Sequence, residues 1–203
     1  MNVRIRRRRA DGPKGHQTTW LGLLLVLSLA GAGCRNEGST TAGCPSSEPS
    51  GTPVDTTIMA FLSAARALHH EADLREKSGD APGAIAALER LIAMPAPAAA
   101  EVDEVLADTH ARLAELRLAR GDLDGADRDV QGGLQRVAGP TYFRGHLLEV
   151  QGLVEEARAT AFVDAGKREE ATAAKARAIS LLEEAVRVQE QVIDRALADG
   201  GRE

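Results

Sequence analysis

The stretch that decides the fold of this 203-residue chain is Gly79-Asp80-Ala81-Pro82-Gly83-Ala84-Ile85-Ala86-Ala87-Leu88. Its glycine can end one helix in a left-handed conformation, its aspartate can cap the next helix, and proline suits a first helical turn. Similar punctuation returns at Gly121-Asp122-Leu123-Asp124-Gly125-Ala126 and at Gly166-Lys167-Arg168-Glu169-Glu170-Ala171. The three turns lie 42 and 45 residues apart, a period typical of stacked helix pairs.

Between these turns the apolar residues recur with a helical period. The pattern predicts helices over about 55–77, 82–94, 99–120, 123–136, 140–165 and 168–197. In the last of them Ala171, Ala178, Ala185 and Val192 fall every seven residues, which is typical of coiled-coil packing between two helices. We therefore expect an all-α fold of about six antiparallel helices, arranged as three stacked helical hairpins with a long C-terminal helix. A closed bundle would satisfy the same pattern.

The N-terminal segment is basic and then apolar. Arg4 and the run 6–9 precede Leu21-Gly22-Leu23-Leu24-Leu25-Val26-Leu27-Ser28-Leu29-Ala30-Gly31-Ala32-Gly33-Cys34. Its continuous apolar part, 21–32, is shorter than the roughly 20 residues of a membrane-spanning helix. The arrangement therefore predicts an export signal that ends at a cysteine.

This segment resembles the signal peptides of bacterial lipoproteins, since Ala32-Gly33-Cys34 matches the end of their lipobox. Gly31 departs from the usual leucine. The resemblance implies that residues 1–33 are removed and that Cys34 is acylated, which anchors the protein to a membrane through its lipid. Because Arg35 stands where an aspartate would favour inner-membrane retention, we expect the outer membrane, facing the periplasm.

Two further boundaries follow from composition. Residues 34–54 are rich in serine, threonine, glycine and proline and predict a disordered tether, in which Cys44 has no predicted role. The helical repeat domain then covers 55–199, and 200–203 form a frayed tail. Removal of 1–33 takes away six basic residues and one acidic residue, so the net charge of −5 becomes −10. A protein this acidic is not expected to bind nucleic acid.

The three turns and the helices that follow them resemble tetratricopeptide repeats. Ala84, Ala126 and Ala171 stand at the small position of the second helix, and Ala72, Ala114 and Ala159 at that of the first. The units are longer than the usual 34 residues of that family, and Arg75 and Arg117 replace an expected aromatic, which only Phe162 supplies. The resemblance implies a partner-binding groove lined by the first helices, with these residues in it: Arg66, His69, Asp73, Asp108, Glu115 and Glu156.

The sequence contains no motif of a known catalytic or cofactor site. The acidic run from Asp122 to Asp129 lacks the glycine and glutamate that a calcium-binding EF-hand loop needs at its sixth and twelfth positions. His69 and His70 point about 100° apart on a helix and cannot easily share one metal ion. We therefore predict no enzyme activity, no metal and no cofactor.

The leading functional hypothesis is a membrane-anchored envelope lipoprotein that acts as a scaffold or assembly factor for other envelope proteins. Two alternatives stay open at this point. One is an envelope hydrolase or ligand-binding protein with an unrecognised pocket, and the other is a structural coiled-coil partner that uses the seam of the last helix.

Overall fold

Six α-helices and the short turns between them make up residues 55–201, which is the part of the chain that the computed structural model describes. The predicted signal peptide, the lipid attachment site Cys34, the tether and Cys44 lie outside the described residues. The helices are α1 (Thr56–Lys77), α2 (Ala81–Ile92), α3 (Ala100–Ala119), α4 (Leu123–Leu134), α5 (Tyr142–Asp164) and α6 (Arg168–Gly200). Within 55–201 there is no strand, and no helix is long and apolar enough to cross a bilayer.

The left-handed glycine that the sequence predicts is present at all three hairpin turns, and an aspartate caps the helix that follows the first two. Gly79, Gly121 and Gly166 have φ angles of 81°, 77° and 72°, which only glycine adopts without strain. The Asp80 carboxylate accepts a hydrogen bond of 2.9 Å from the Gly83 N–H. Asp122 caps α4 in the same way through Gly125. Local chemistry therefore sets where each hairpin reverses.

The helix contacts define an open stack of three hairpins. Each hairpin packs within itself, as α1 with α2, α3 with α4, and α5 with α6. The first helix of each later hairpin also contacts both helices of the hairpin before it. Within the described residues neither α1 nor α2 contacts α5 or α6. The stacked arrangement is confirmed, and a closed bundle, which needs its last helix beside its first, is excluded.

Alanines allow the two helices of a hairpin to approach closely. Ala72 and Ala84 are fully buried in one cluster, and Ala114 and Ala126 are fully buried in the next. In the third hairpin the predicted seam of α6 packs on α5. Ala171, Ala178 and Ala185 are buried and Val192 is half-buried. Ala174 and Val188, which lie beside this line, are buried as well. The seam of α6 therefore packs within the same chain, against α5.

The buried face of α5 is formed by Leu147, Val150, Val154 and Ala159. Ala159 is thus buried where the repeat resemblance places a small residue, whereas Ala161 is exposed. The helix boundaries agree with the prediction to within a few residues.

Two glycines of α4 permit a close crossing. A Cβ atom on Gly133 would lie 2.6 Å from Cδ2 of Leu147 in α5 and 3.0 Å from Cβ of His110 in α3. A Cβ atom on Gly132 would lie 2.7 Å from the His110 ring. These distances are too short for any side chain, so α4 can pack against both neighbours only because it carries glycine here.

Candidate partner-binding groove

Four of the six predicted groove residues lie together between α1 and α3. Arg66, His69 and Asp73 line this groove from α1, and Asp108 lines it from α3. The groove encloses about 510 Å³, and its apolar floor is formed by Leu62, Ala65 and Val105. It therefore offers apolar surface bordered by charges of both signs.

His69 is fixed in the groove by a hydrogen-bond relay. The Thr109 hydroxyl lies 2.7 Å from the Val105 carbonyl and donates to it, and it lies 2.9 Å from Nε2 of His69. Because a hydroxyl has one proton to donate, Nε2 of His69 is the donor in the second bond. Burial lowers the pKa of His69, and this effect outweighs the nearby Asp108 carboxylate, which raises the pKa. The imidazole is therefore neutral at pH 7.

Arg112 of α3 links the second hairpin to α1 of the first hairpin. Its guanidinium forms an ion pair with Asp73 and a second one, at 3.1 Å, with Glu76. The hydrogen bond from Arg112 lowers the pKa of the Asp73 carboxyl below its usual value. Asp73 is thus an ionised, oriented acceptor at the rim of the groove.

The other two predicted residues lie elsewhere on the stack. Glu115 is exposed on α3, with its Oε1 atom 3.6 Å from Nε2 of His146 in α5. Glu156 lines a separate groove between α5 and α6, beside Arg168 and Lys175. The six residues therefore divide into one cluster of four and two separate positions.

Sequence reasoning missed Thr109 and Arg112. Thr109 is fully buried although it lies in the middle of a helix, where threonine is a poor helix former. Arg112 falls one helical turn after Asp108 on the same face of α3. That spacing was the available signal, because residues four apart share a helix face.

Two further histidines, His110 and His146, lie at contacts between helices. His110 Nδ1 is 3.8 Å from Oδ1 of Asp129 in α4, and Asp129 also forms an ion pair of 2.9 Å with Arg117. In the part of the chain that the structure describes, no three histidine, cysteine, aspartate or glutamate side chains converge in a way that could hold a metal ion.

No protein-family model, curated protein or solved structure matches this chain.

Proposed function

We propose that the protein is a lipid-anchored envelope scaffold, without catalytic activity, that binds another envelope protein through the groove between α1 and α3. The observation that carries this proposal is the open groove itself, with an apolar floor and the charged residues Arg66, Asp73 and Asp108 at its edge. Such a surface suits an extended peptide or a helix with both apolar and charged side chains. The neutral His69, whose N–H is bonded to Thr109, serves as a fixed hydrogen-bonding group in this role.

The lipid anchor and the tether complete the proposed mechanism. The N-terminal segment supports export and acylation of Cys34, and Arg35 supports the outer membrane facing the periplasm. The tether of residues 34–54 could extend at most about 70 Å. Holding the groove within this distance of the membrane raises its effective concentration for a partner in the same membrane.

The anchor is tested by labelling cells with a radioactive fatty acid. We expect the full-length protein to incorporate label and to remain in the outer-membrane fraction. The Cys34→Ala variant should lose both properties, whereas the Cys44→Ala control should keep both. Label that depends on Cys44, or a Cys34→Ala variant that stays in the membrane, would contradict the assigned attachment site.

Partner binding is tested by chemical crosslinking in intact cells followed by purification of the tagged, full-length protein. A stoichiometric envelope partner should be lost in the double variant Arg66→Glu/Asp108→Lys. The matched control is Arg128→Glu/Asp164→Lys, which makes the same charge changes at exposed positions away from this groove. Equal recovery with both variants would show that the partner does not use the α1–α3 groove.

A further inference from the structure

The stack ends on an open groove between α5 and α6. Its wider part is lined from α5 by Gly145 and Glu149, and from α6 by the apolar side chains of Leu182, Val186 and Ile193. Ile179 extends the apolar strip by one turn. Ile179, Val186 and Ile193 are spaced by seven residues, so they form one line on the face of α6. More than half of the surface of each is exposed.

The groove between α5 and α6 is equivalent to two other grooves of the stack, each of which is filled by a helix of the chain. The groove between α1 and α2 receives α3, and the groove between α3 and α4 receives α5. Each helix that fills a groove lies parallel to the first helix of the hairpin before it. Thr109 and then Arg112 along α3 meet His69 and then Asp73 along α1. Along α3 and α5 the buried contacts advance together in the same way, from Ala111 with Leu147 to Ala114 with Val150. A helix placed on α5 and α6 by the same step would lie parallel to α5.

The two filled grooves also share a pattern of charge. In the first step the incoming α3 supplies Arg112 and Arg117, and the hairpin before it supplies the acids Asp73, Glu76 and Glu89. In the second step α5 supplies Arg158 to Asp124 and Asp127 of α4. Each incoming helix is therefore basic where it meets an acidic hairpin.

The open groove between α5 and α6 carries acidic residues, as the two filled grooves do. Glu149 and Glu190 line its wider part, Glu183 borders the apolar strip, and Glu156 lies further along α5. Among the described residues that line the groove, the basic ones, Arg168 and Lys175, lie at its other end near the start of α6. A helix parallel to α5 would direct its C-terminal carbonyl groups to these two cations and its N-terminus to the acids, which suits the helix dipole at both ends.

We propose that the groove between α5 and α6 binds a basic amphipathic helix of a partner protein, which lies parallel to α5 in the position that the first helix of a fourth hairpin would take. The partner helix presents apolar residues at i, i+3 and i+7, as α5 does with Leu147, Val150 and Val154. Lysine or arginine residues flank that stripe. A second copy of this chain is disfavoured as the occupant because α6 against α6 would bring its own acidic residues together.

The proposal is tested by the binding of fluorescent peptides to the full-length protein in phosphatidylcholine nanodiscs. The probe is an 18-residue synthetic helix with leucines at the stated spacing and lysine flanks. An acidic version replaces each lysine with glutamate, and a scrambled version keeps the composition but not the spacing. Fluorescence anisotropy, corrected with empty nanodiscs, gives each Kd. We expect the basic helix to bind at least about tenfold more tightly than either control peptide.

Matched variants locate the binding site. Val186 and Ile193 are 58% and 57% exposed, and the controls Leu74 and Met59 of α1 are 56% and 55% exposed. Val186→Ser/Ile193→Ser should weaken binding by about tenfold or more, and Leu74→Ser/Met59→Ser should leave it unchanged. Glu149→Gln/Glu190→Gln should weaken binding by about fivefold at low salt and less at high salt.

Three results would overturn the proposal. The first is equal affinity for the basic and the acidic helix. The second is binding of the basic helix that Val186→Ser/Ile193→Ser does not weaken. The third is that sedimentation velocity shows two protein-loaded nanodiscs associating with each other, and that this association is lost with Val186→Ser/Ile193→Ser. The last result would identify a second copy as the occupant. The binding site is distinct from the α1–α3 groove, and purified protein suffices for the assay, so the proposed scaffold function and this inference can fail independently.

Discussion

The crossing of α4 with its neighbours provides a stringent test of the packing, through the substitution Gly133→Ala. The added methyl group would lie 2.6 Å and 2.9 Å from the two Cδ atoms of Leu147 and 3.0 Å from Cβ of His110. Leu147 has no exposed surface, so its side chain cannot swing out toward solvent. The helices must move apart, or the leucine must adopt a poor rotamer.

Two effects of opposite sign set the magnitude. Alanine in place of glycine favours the helix by about 1 kcal/mol, whereas forcing one extra methyl group into a closely packed core costs about 1–3 kcal/mol. Because two helices restrict the site, we take the upper part of that range. The free energy of unfolding should therefore fall by about 1–2 kcal/mol, and Tm by about 3–6 °C for a domain of this size.

Urea denaturation followed by circular dichroism measures this change. Gly200→Ala is the control, since a Cβ atom there would meet no atom within 4 Å, and it should leave stability unchanged or slightly higher. In the double variant Gly133→Ala/Leu147→Ala the new methyl group enters the space that the leucine leaves. Its loss of stability should fall short of the sum of the single losses by about 1 kcal/mol. An increase in stability with Gly133→Ala, or additive losses, would refute the close crossing.

Three further predictions concern polar groups of the stack. Burial lowers the pKa of His69 from the value of 6.5 that it has when solvated, so the unfolded chain takes up this proton first as the pH falls. As the pH is lowered below 6.5, the free energy of unfolding of the native protein should thus fall more steeply than that of the His69→Gln variant. Equal dependence on pH in the two proteins would show that His69 is not desolvated. Asp122→Ala should cost about 1 kcal/mol in urea denaturation by removing the cap of α4, and Asp124→Ala, which removes an exposed ion pair, less than about 0.5 kcal/mol. Thr109→Val should cost about 1–2 kcal/mol because it leaves the N–H of His69 without its acceptor, whereas Thr109→Ser should retain most of the stability.

The sequence predicts features that depend on residues close together in the chain. The left-handed Gly79 and the capping Asp80 act within one turn, so the hairpins and the helix count could be read directly. The role of Gly133 could not be predicted in this way, because it depends on Leu147, which approaches it from another helix. The separation of Glu156 from the other groove residues has the same cause, since it depends on how α6 packs on α5.

The structure explains why two units have an arginine where tetratricopeptide repeats have an aromatic residue. Arg75 and Arg117 stand where an aromatic residue was expected, and each reaches across its turn to the capping aspartate five residues later. The third hairpin has Phe162 at this position and Lys167 at the cap, with the lysine Nζ atom 5.9 Å from the centre of the ring. A residue pair thus spans every turn, but the third pair is a cation–π contact and α6 begins without a side-chain cap.

The substitution Lys167→Asp should therefore stabilise the protein. Lys167 has φ and ψ of −89° and 75°, close to the −82° and 73° of Asp122, which does cap its helix. An aspartate there could accept from the Glu170 N–H and contribute about 1 kcal/mol, against about 0.5 kcal/mol lost with the exposed cation–π contact. Urea denaturation should show a net gain of about 0.5 kcal/mol, and the double variant Phe162→Arg/Lys167→Asp should gain more because it restores the ionic pair. Arg168→Asp makes the same change of charge one residue later, outside the cap position. An equal gain there would assign the effect to the helix dipole alone and contradict the cap geometry that α2 and α4 share.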